Sequence, residues 1–313
     1  MSGRGQKGRA AEGHVLSDGL RIGFLDWGGR PAHPAPLIVL HPNGFCAGFF
    51  DPLARRLTDQ FRVVGVDLRG HGSSDRVVDQ TQLGNDQMAA DVIAVADQLR
   101  FERFSLLGHS LGGGVSIETA AAAPGRVASV MLCEAIALDI DLRAAQESGE
   151  TVLAAVARRR RPVWPDRATV QASYGSRPPL EVLAPEALAA YVEWGFVDRE
   201  DGQVELACAP ETEAGIFDSR ERHGPPQTFQ RLKDVVAPTA VLAGTLTDLA
   251  PTWFAEQARI LGTEVEWVDG GHFFLFEDVD RGVRLIEEHL RNLGNQLPDG
   301  PGEADDTVEG ETD

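Results

Sequence analysis

The stretch "LLGHSLGGG", residues 106–114, sets Ser110 in a Gly-x-Ser-x-Gly frame between Gly108 and Gly112. An apolar, strand-like run precedes it and a helix-like stretch follows. A strand-to-helix turn that sharp forces strained backbone angles on the serine, and the residues two positions either side must lack side chains to avoid collision. In return, the hydroxyl stands clear of the sheet at the carboxyl end of its strand, close to a helix N-terminus whose amides favour developing negative charge. The five-residue pattern alone also describes a glycine-rich turn that merely packs tightly, so the rest of the chain has to decide.

A serine hydroxyl is a weak nucleophile near neutral pH, so a base must take its proton and a third group must orient the base. Downstream, His272 lies in "VDGGHFFLFED", a Gly-Gly turn after the last strand-like run. Asp248 ends "VLAGTLTD", just past a buried strand. With His272 as base and Asp248 as its orienting carboxylate, the order serine, acid, histidine completes a Ser-His-Asp triad.

These residues need a rigid frame. The short apolar runs "PLIVLHP", "FRVVGVDL", "FSLLGHS" and "VASVMLCEA" suit parallel strands buried on both faces. Between them "DPLARRLTDQ" and "DQMAADVIAVADQLRF" read as helices, the second with Met88, Val92, Val95, Ala96 and Leu99 on one face. The alternation predicts an α/β architecture. From 135 to 226 the texture changes to helix-forming patches broken by prolines, with no convincing strand. Afterwards "APTAVLAGTLTD" returns as a strand, "PTWFAEQARILG" as a helix, "TEVEWVDGGHF" as a strand and turn, and "DRGVRLIEEHLRNL" as an amphipathic helix.

Taken together, "GHSLGG", "DLRGHGSSD", "AGTLTD" and "GGHF" make the chain resemble the α/β-hydrolase family. The resemblance implies an α/β-hydrolase fold, a mostly parallel central sheet flanked by helices, with a helical cap insertion. With the glycine-rich start and the acidic, apolar-poor end read as tails from their composition, the chain divides into a flexible tail (1–12), a core domain (13–134 and 227–296), the cap (135–226) and a disordered acidic tail (297–313). The resemblance also implies an oxyanion hole formed by the N–H of Leu111 and one from the loop after "LIVL". The family pattern there is His-Gly followed by the donor, whereas this chain has "HPNGF". Pro42 has no N–H, which makes Asn43 the candidate donor, with Phe45 the alternative for a longer loop.

Some family members carry the triad acid after the strand that here reads "SVMLC", which makes Glu134 the rival to Asp248 or else a substrate contact. Asp248 is preferred because an acid after the later strand is the commoner arrangement. His41 and His71 are expected to hydrogen-bond loop backbone, and His109 to wedge beside the sheet. Asp67, Arg69 and Asp75 are expected to hold loops together, with Arg-Asp pairing within one turn.

Serine at the elbow, where haloalkane dehalogenases and epoxide hydrolases of this fold use aspartate, points to an acyl-enzyme and to hydrolysis of a small, apolar ester or lactone. A carbon-carbon bond hydrolase of the ring-cleavage type, or a non-catalytic or slow-turnover ligand-binding member of the fold, is the alternative. In the cap, Trp164, Tyr174, Tyr191, Trp194 and Phe196 are expected to form a small core of their own, with Trp164, Trp194 and Phe45 also candidates to line an apolar pocket.

Lys and Arg number 29 against 48 Asp and Glu, a formal charge of -19, which repels nucleic acid and anionic membranes. The expected partner is a small-molecule substrate, with a homo-oligomer open. No His-Glu-x-x-His, CxxC, EF-hand or Rossmann spacing occurs, so neither metal nor cofactor is expected. Cys46, Cys133 and Cys208 are widely spaced and odd in number, as expected of reduced thiols in a cytoplasm. The first residues lack the apolar segment of a secretory leader, and no run approaches the roughly 20 residues of a membrane span. The "RRRR" run at 158–161 reads most simply as a solvated helix end, with anion binding as the alternative.

Overall fold

The first strands form a hairpin: β1 (Ala11–Ser17) and β2 (Leu20–Gly28) pair antiparallel across Asp18-Gly19, both with positive φ. Asp-Gly is the residue pair such a two-residue turn demands. In the computed structural model, which describes residues 9–29, 35–140, 151–218 and 224–294, this hairpin edges an eight-stranded sheet. The other strands are β3 (Leu37–Leu40), β4 (Val63–Val66), β5 (Phe104–His109), β6 (Val127–Cys133), β10 (Thr239–Gly244) and β11 (Val265–Val268). Their order is β1-β2-β4-β3-β5-β6-β10-β11, and from β4 to β11 every pairing is parallel.

Side chains alternate across these strands, so each face has its own core. One face gathers Leu37, Val39, Val63, Leu107, Met131 and Leu242, covered by α1 (Asp51–Leu57) and by the last helix, α11 (Val279–Gly294). The opposite face gathers Ile38, Leu40, Val64, Leu106, Val130 and Val241. That side is covered by α2 (Asn85–Gln98), α3 (Leu111–Ala122) and α9 (Pro251–Leu261). Helix α11 buries Val279, Val283, Ile286, Leu290 and Leu293, the stripe expected of its 3.6-residue period.

Between β6 and β10 lie α4 (Val152–Arg158), α5 (Arg167–Tyr174), α6 (Pro185–Trp194) and α7 (Pro210–Asp218). They are not alone there: β7 (Val163–Trp164), β8 (Phe196–Asp198) and β9 (Val204–Leu206) form a separate three-stranded antiparallel sheet. The insertion is therefore not purely helical. Helix α8 (Pro225–Arg231) follows, and its Phe229 packs into the core, so the boundary read at 226 falls inside a core helix. The first strand likewise begins at Ala11, within the segment read as a loose tail; the remainder of that tail up to residue 8, and the acidic tail, lie outside the described residues.

Trp164, Tyr174, Tyr191 and Phe196 pack against one another, but not as a separate core: their cluster is continuous with the one beneath the sheet, Tyr191 meeting Phe45 at 4.4 Å between centroids, and Trp194, expected among them, packs over Gly48 instead. No described helix is long and apolar enough to cross a membrane.

Candidate active site

Ser110 sits between β5 and α3 with φ 57° and ψ -116°, a strained conformation for a residue with a side chain. The flanking glycines are required by space. A Cβ on Gly108 would stand 2.2 Å from the Gly112 carbonyl oxygen, and one on Gly112 would stand 2.2 Å from that of Leu40. Ser110 N–H donates to Cys133 O (2.9 Å), while Ile136 N–H donates to Ser110 O (3.0 Å). The elbow is thus bonded on both sides of Glu134, immediately past the end of β6.

Glu134 has φ 52°, and its side chain is fully buried. Its Oε1 accepts from Gly244 N–H (2.7 Å), and its Oε2 accepts from the Thr247 hydroxyl (2.6 Å) and from His272 Nδ1 (2.9 Å). A carboxylate at Nδ1 fixes the Nδ1–H tautomer and leaves the lone pair on Nε2, the form a general base requires. Gln257, on α9, donates to both Ala135 O and Ala137 O (2.9 Å each) and so anchors the chain just beyond Glu134.

This arrangement corrects the expectation for Asp248. After β10 the chain reverses in a tight turn, Thr247 N–H donating to Gly244 O (3.3 Å), and Asp248 is carried out to solvent. What the strand-end segment contributes is the Thr247 hydroxyl and the Gly244 amide, both given to Glu134.

His272 follows Gly270, with φ 130°, and Gly271, whose N–H donates to Glu277 Oε1 (2.9 Å). Its carbonyl accepts from His109 Nε2 (2.7 Å), and the two imidazole rings lie 4.9 Å apart. His109 is therefore wedged beside the sheet, as expected, but it also ties the residue before the serine to the loop of the base.

Leu111 opens α3, so its N–H has no acceptor within the helix. In the loop after β3, Gly44 N–H donates to His71 Nε2 (3.2 Å) and Phe45 N–H to Pro42 O (3.2 Å). The Asn43 N–H, by contrast, has no hydrogen-bond acceptor among the described residues. Of the two candidate donors, Asn43 keeps its amide without a protein acceptor among the described residues and Phe45 does not. The Phe45 ring instead contacts Phe273 (centroids 5.4 Å), which in turn contacts His272 (5.2 Å), so it lies in an apolar wall beside the imidazole.

Trp164 and Trp194 are occupied elsewhere. Trp164 donates from Nε1 to Arg161 O (2.9 Å) and packs edge-on against Tyr174 within the insertion. Trp194 packs over Gly48 and against Arg9, near Leu25 and Ala47. Neither makes a ring contact with His109, His272 or Phe273 among the described residues.

His41 donates from Nδ1 to Pro42 O (2.8 Å) and accepts at Nε2 from Leu68 N–H (3.0 Å). His71 likewise donates from Nδ1 to Arg69 O (3.1 Å). Both serve backbone. Asp67 accepts from Ala47 N–H (2.7 Å) and Ser73 N–H (2.9 Å), and Asp75 from Arg21 N–H (2.8 Å). Arg69 does not pair within its own turn: it forms a buried two-pronged bond to Asp91 on α2, at 2.7 and 2.8 Å, with Asp18 of the first hairpin turn 3.8 Å from its other end. Among the described residues no group of His, Cys, Asp and Glu is arranged to hold a metal ion.

Burial lowers the pKa of His41 and His109 well below the usual value, and that of His71 to about 4. The unfolded chain therefore takes up protons below about pH 6.5 that the folded chain refuses, so this contribution is complete above that pH and is lost as pH falls toward 4. His71 alone should cost about 3 kcal/mol over that window. Urea midpoints measured between pH 7 and pH 4 are expected to fall steadily, and His71→Gln to flatten the decline.

The profile described as "Alpha/beta hydrolase family" matches residues 37–285. A dihydrolipoyllysine-residue acetyltransferase component of an acetoin cleaving system from Cupriavidus necator is 30% identical over 87% of this chain and 67% of that protein. A serine hydrolase-like protein from Danio rerio is 36% identical over 34% of this chain, which spans only 32% of that relative's length. The crystal structure of E-2-(acetamidomethylene)succinate hydrolase superposes with a TM-score of 0.74 at 22% identity, over 90% of this chain and 99% of that one, a likeness of fold.

Proposed function

The chain belongs to the alpha/beta hydrolase family, and on that premise we propose that it is a serine hydrolase cleaving a small, apolar ester or lactone through an acyl-enzyme, with Ser110, His272 and Glu134 as its triad. The observation that carries this reading is the Glu134–His272 bond at 2.9 Å, made by a fully buried carboxylate next to a serine held at φ 57°. Such a pair leaves His272 Nε2 free to take the Ser110 proton as Oγ attacks the substrate carbonyl carbon. The oxygen gains the negative charge and is met by the N–H groups of Leu111 and Asn43. When the tetrahedral intermediate collapses, the carbon–oxygen bond to the leaving group breaks and His272 returns the proton to it. Water then repeats the sequence on the acyl-serine and restores the hydroxyl.

Glu134 is preferred to Asp248 because, among the described carboxylates, it is the one bonded to the imidazole, and the wall of Phe45 and Phe273 supports an apolar acyl group. The buried, unbridged thiols of Cys46, Cys133 and Cys208 support a reducing, cytoplasmic setting. A panel of p-nitrophenyl esters of increasing chain length, together with γ- and δ-lactones, tests the reading. The expected result is turnover of short apolar members, with acid quenching revealing an acyl group on Ser110. Inertness of the folded protein toward the whole panel, with no acyl-serine trapped, would overturn it.

A further inference from the structure

Of the four arginines at 158–161, three stay at the surface of the insertion. Arg158 pairs with Asp218 (3.1 Å), Arg159 is exposed, and Arg161 bonds Val163 O (2.7 Å) while stacking on Trp164. Arg160 turns inward, with 19% of its side chain accessible. A cation placed there must be paired. One end of its fork meets the Glu213 carboxylate, and Nη2 donates to the hydroxyls of Tyr191 (2.7 Å) and Tyr174 (3.2 Å). Its partners therefore come from α5, α6 and α7, so a single guanidinium gathers three helices of the insertion.

Those helices converge on the loop that carries Asn43. The Tyr191 hydroxyl donates onward to Gly44 O (3.0 Å), and Asn43 Nδ2 donates to Glu213 O (2.9 Å). From the core side, Gly44 N–H is held by His71 (3.2 Å). Gly44 has φ 78°, and a Cβ there would stand 2.7 Å from the Glu213 carboxyl carbon and 2.9 Å from Arg160 Nη1. Glycine is thus required both by the backbone and by the close approach of the ion pair. The run Arg160 to Tyr191 to Gly44 O is a donor chain in which each bond polarises the next. It fixes the Gly44–Phe45 peptide while the Glu213 carbonyl fixes the Asn43 side chain.

We propose that Arg160 is a positioning residue that, acting through Tyr191 and Glu213, clamps the insertion onto the Asn43–Gly44 loop and so holds the Asn43 amide where the oxyanion forms. The inference rests on Asn43 acting as an oxyanion donor in the reaction proposed above. It gives the insertion a part in the chemical step, and it accounts for the inward turn of one arginine in a run of four.

The test joins two readouts on the full chain: hydrogen exchange of the peptide spanning residues 41–50, and steady-state kinetics on a p-nitrophenyl ester. Tyr191→Phe keeps the ring and removes only the hydroxyl; Arg160→Met removes the cation. The expected result is about tenfold faster exchange at the Gly44 and Phe45 amides, with kcat lowered about tenfold and KM unchanged, the scale of one lost hydrogen bond. Exchange in peptides covering α5 and β9 should stay as in wild type for Tyr191→Phe, so that a merely unfolded insertion is recognised even if Arg160→Met fails to fold. Unchanged loop exchange in Tyr191→Phe would overturn the clamp, and faster exchange with undiminished kcat would overturn its part in catalysis. A wild type that turns over no ester would instead overturn the hydrolase reading and the oxyanion role with it, while the exchange result still decides whether the clamp exists.

Discussion

Replacing Ser110 by alanine is expected to lower kcat on any ester the protein turns over by about 10⁵- to 10⁶-fold, with little change in thermal stability. The hydroxyl is the only atom lost, and the elbow is held by backbone bonds to Cys133 and Ile136 that alanine keeps. The strained φ is a cost alanine bears as serine does. A residual rate above that of buffer should persist, because the amides of Leu111 and Asn43 still meet the developing oxyanion. Steady-state kinetics of purified Ser110→Ala and wild type at equal concentration give the comparison, and near-normal turnover by the variant would remove the serine from the mechanism.

Glu134→Gln is expected to lower kcat by about 10⁴-fold, whereas Asp248→Asn should leave it within about twofold. An amide nitrogen turned toward the imidazole would favour the Nε2–H tautomer and deprive Nε2 of its lone pair. Turning the amide the other way instead sets its NH₂ against the Gly244 N–H, which needs the acceptor that Glu134 Oε1 supplies at 2.7 Å. Asp248 is exposed, so its loss removes only surface charge. Kinetics of the two variants on one substrate separate the assignments cleanly. An inactive Asp248→Asn beside an active Glu134→Gln would reinstate the acid after β10.

The parts of the site legible in the sequence are those set by local geometry. Gly108 and Gly112 lie at fixed offsets from Ser110 because carbonyl oxygens approach within 2.2 Å of where a Cβ would stand, and this spacing shows in any reading of the chain. In the Gly-Gly pair before His272, Gly270 holds φ 130°, which a side chain would strain, so that turn too shows in the residue types. The acid was not legible, since it depends on where the chain turns after two different strands. Glu134 leaves β6 at positive φ and points inward, while the turn after Gly244 closes on Thr247 and sends Asp248 outward. Neither turn is written in residue spacing.

In the frame, the continuous apolar runs form the parallel strands and the amphipathic stretches form helices where the sequence places them. The strands of the insertion are not placed in this way, because two- and three-residue segments such as Val163–Trp164 are too short to display a period. Asp18-Gly19, the turn of the first hairpin, is not among the signals read from the sequence, since such a pair weighs little until the flanking runs are counted as strands. Arg160 could not be told from its neighbours by type; what buries it are Tyr174, Tyr191 and Glu213, at 14, 31 and 53 residues along the chain.

The most direct test of an activated serine is covalent labelling by a fluorophosphonate, read by intact-protein and peptide mass spectrometry on wild type and His272→Ala. A single adduct on Ser110 in wild type, abolished or slowed about a thousandfold or more in His272→Ala, is expected. A folded wild type that takes no label, or equal labelling of Ser110 without His272, would contradict the mechanism.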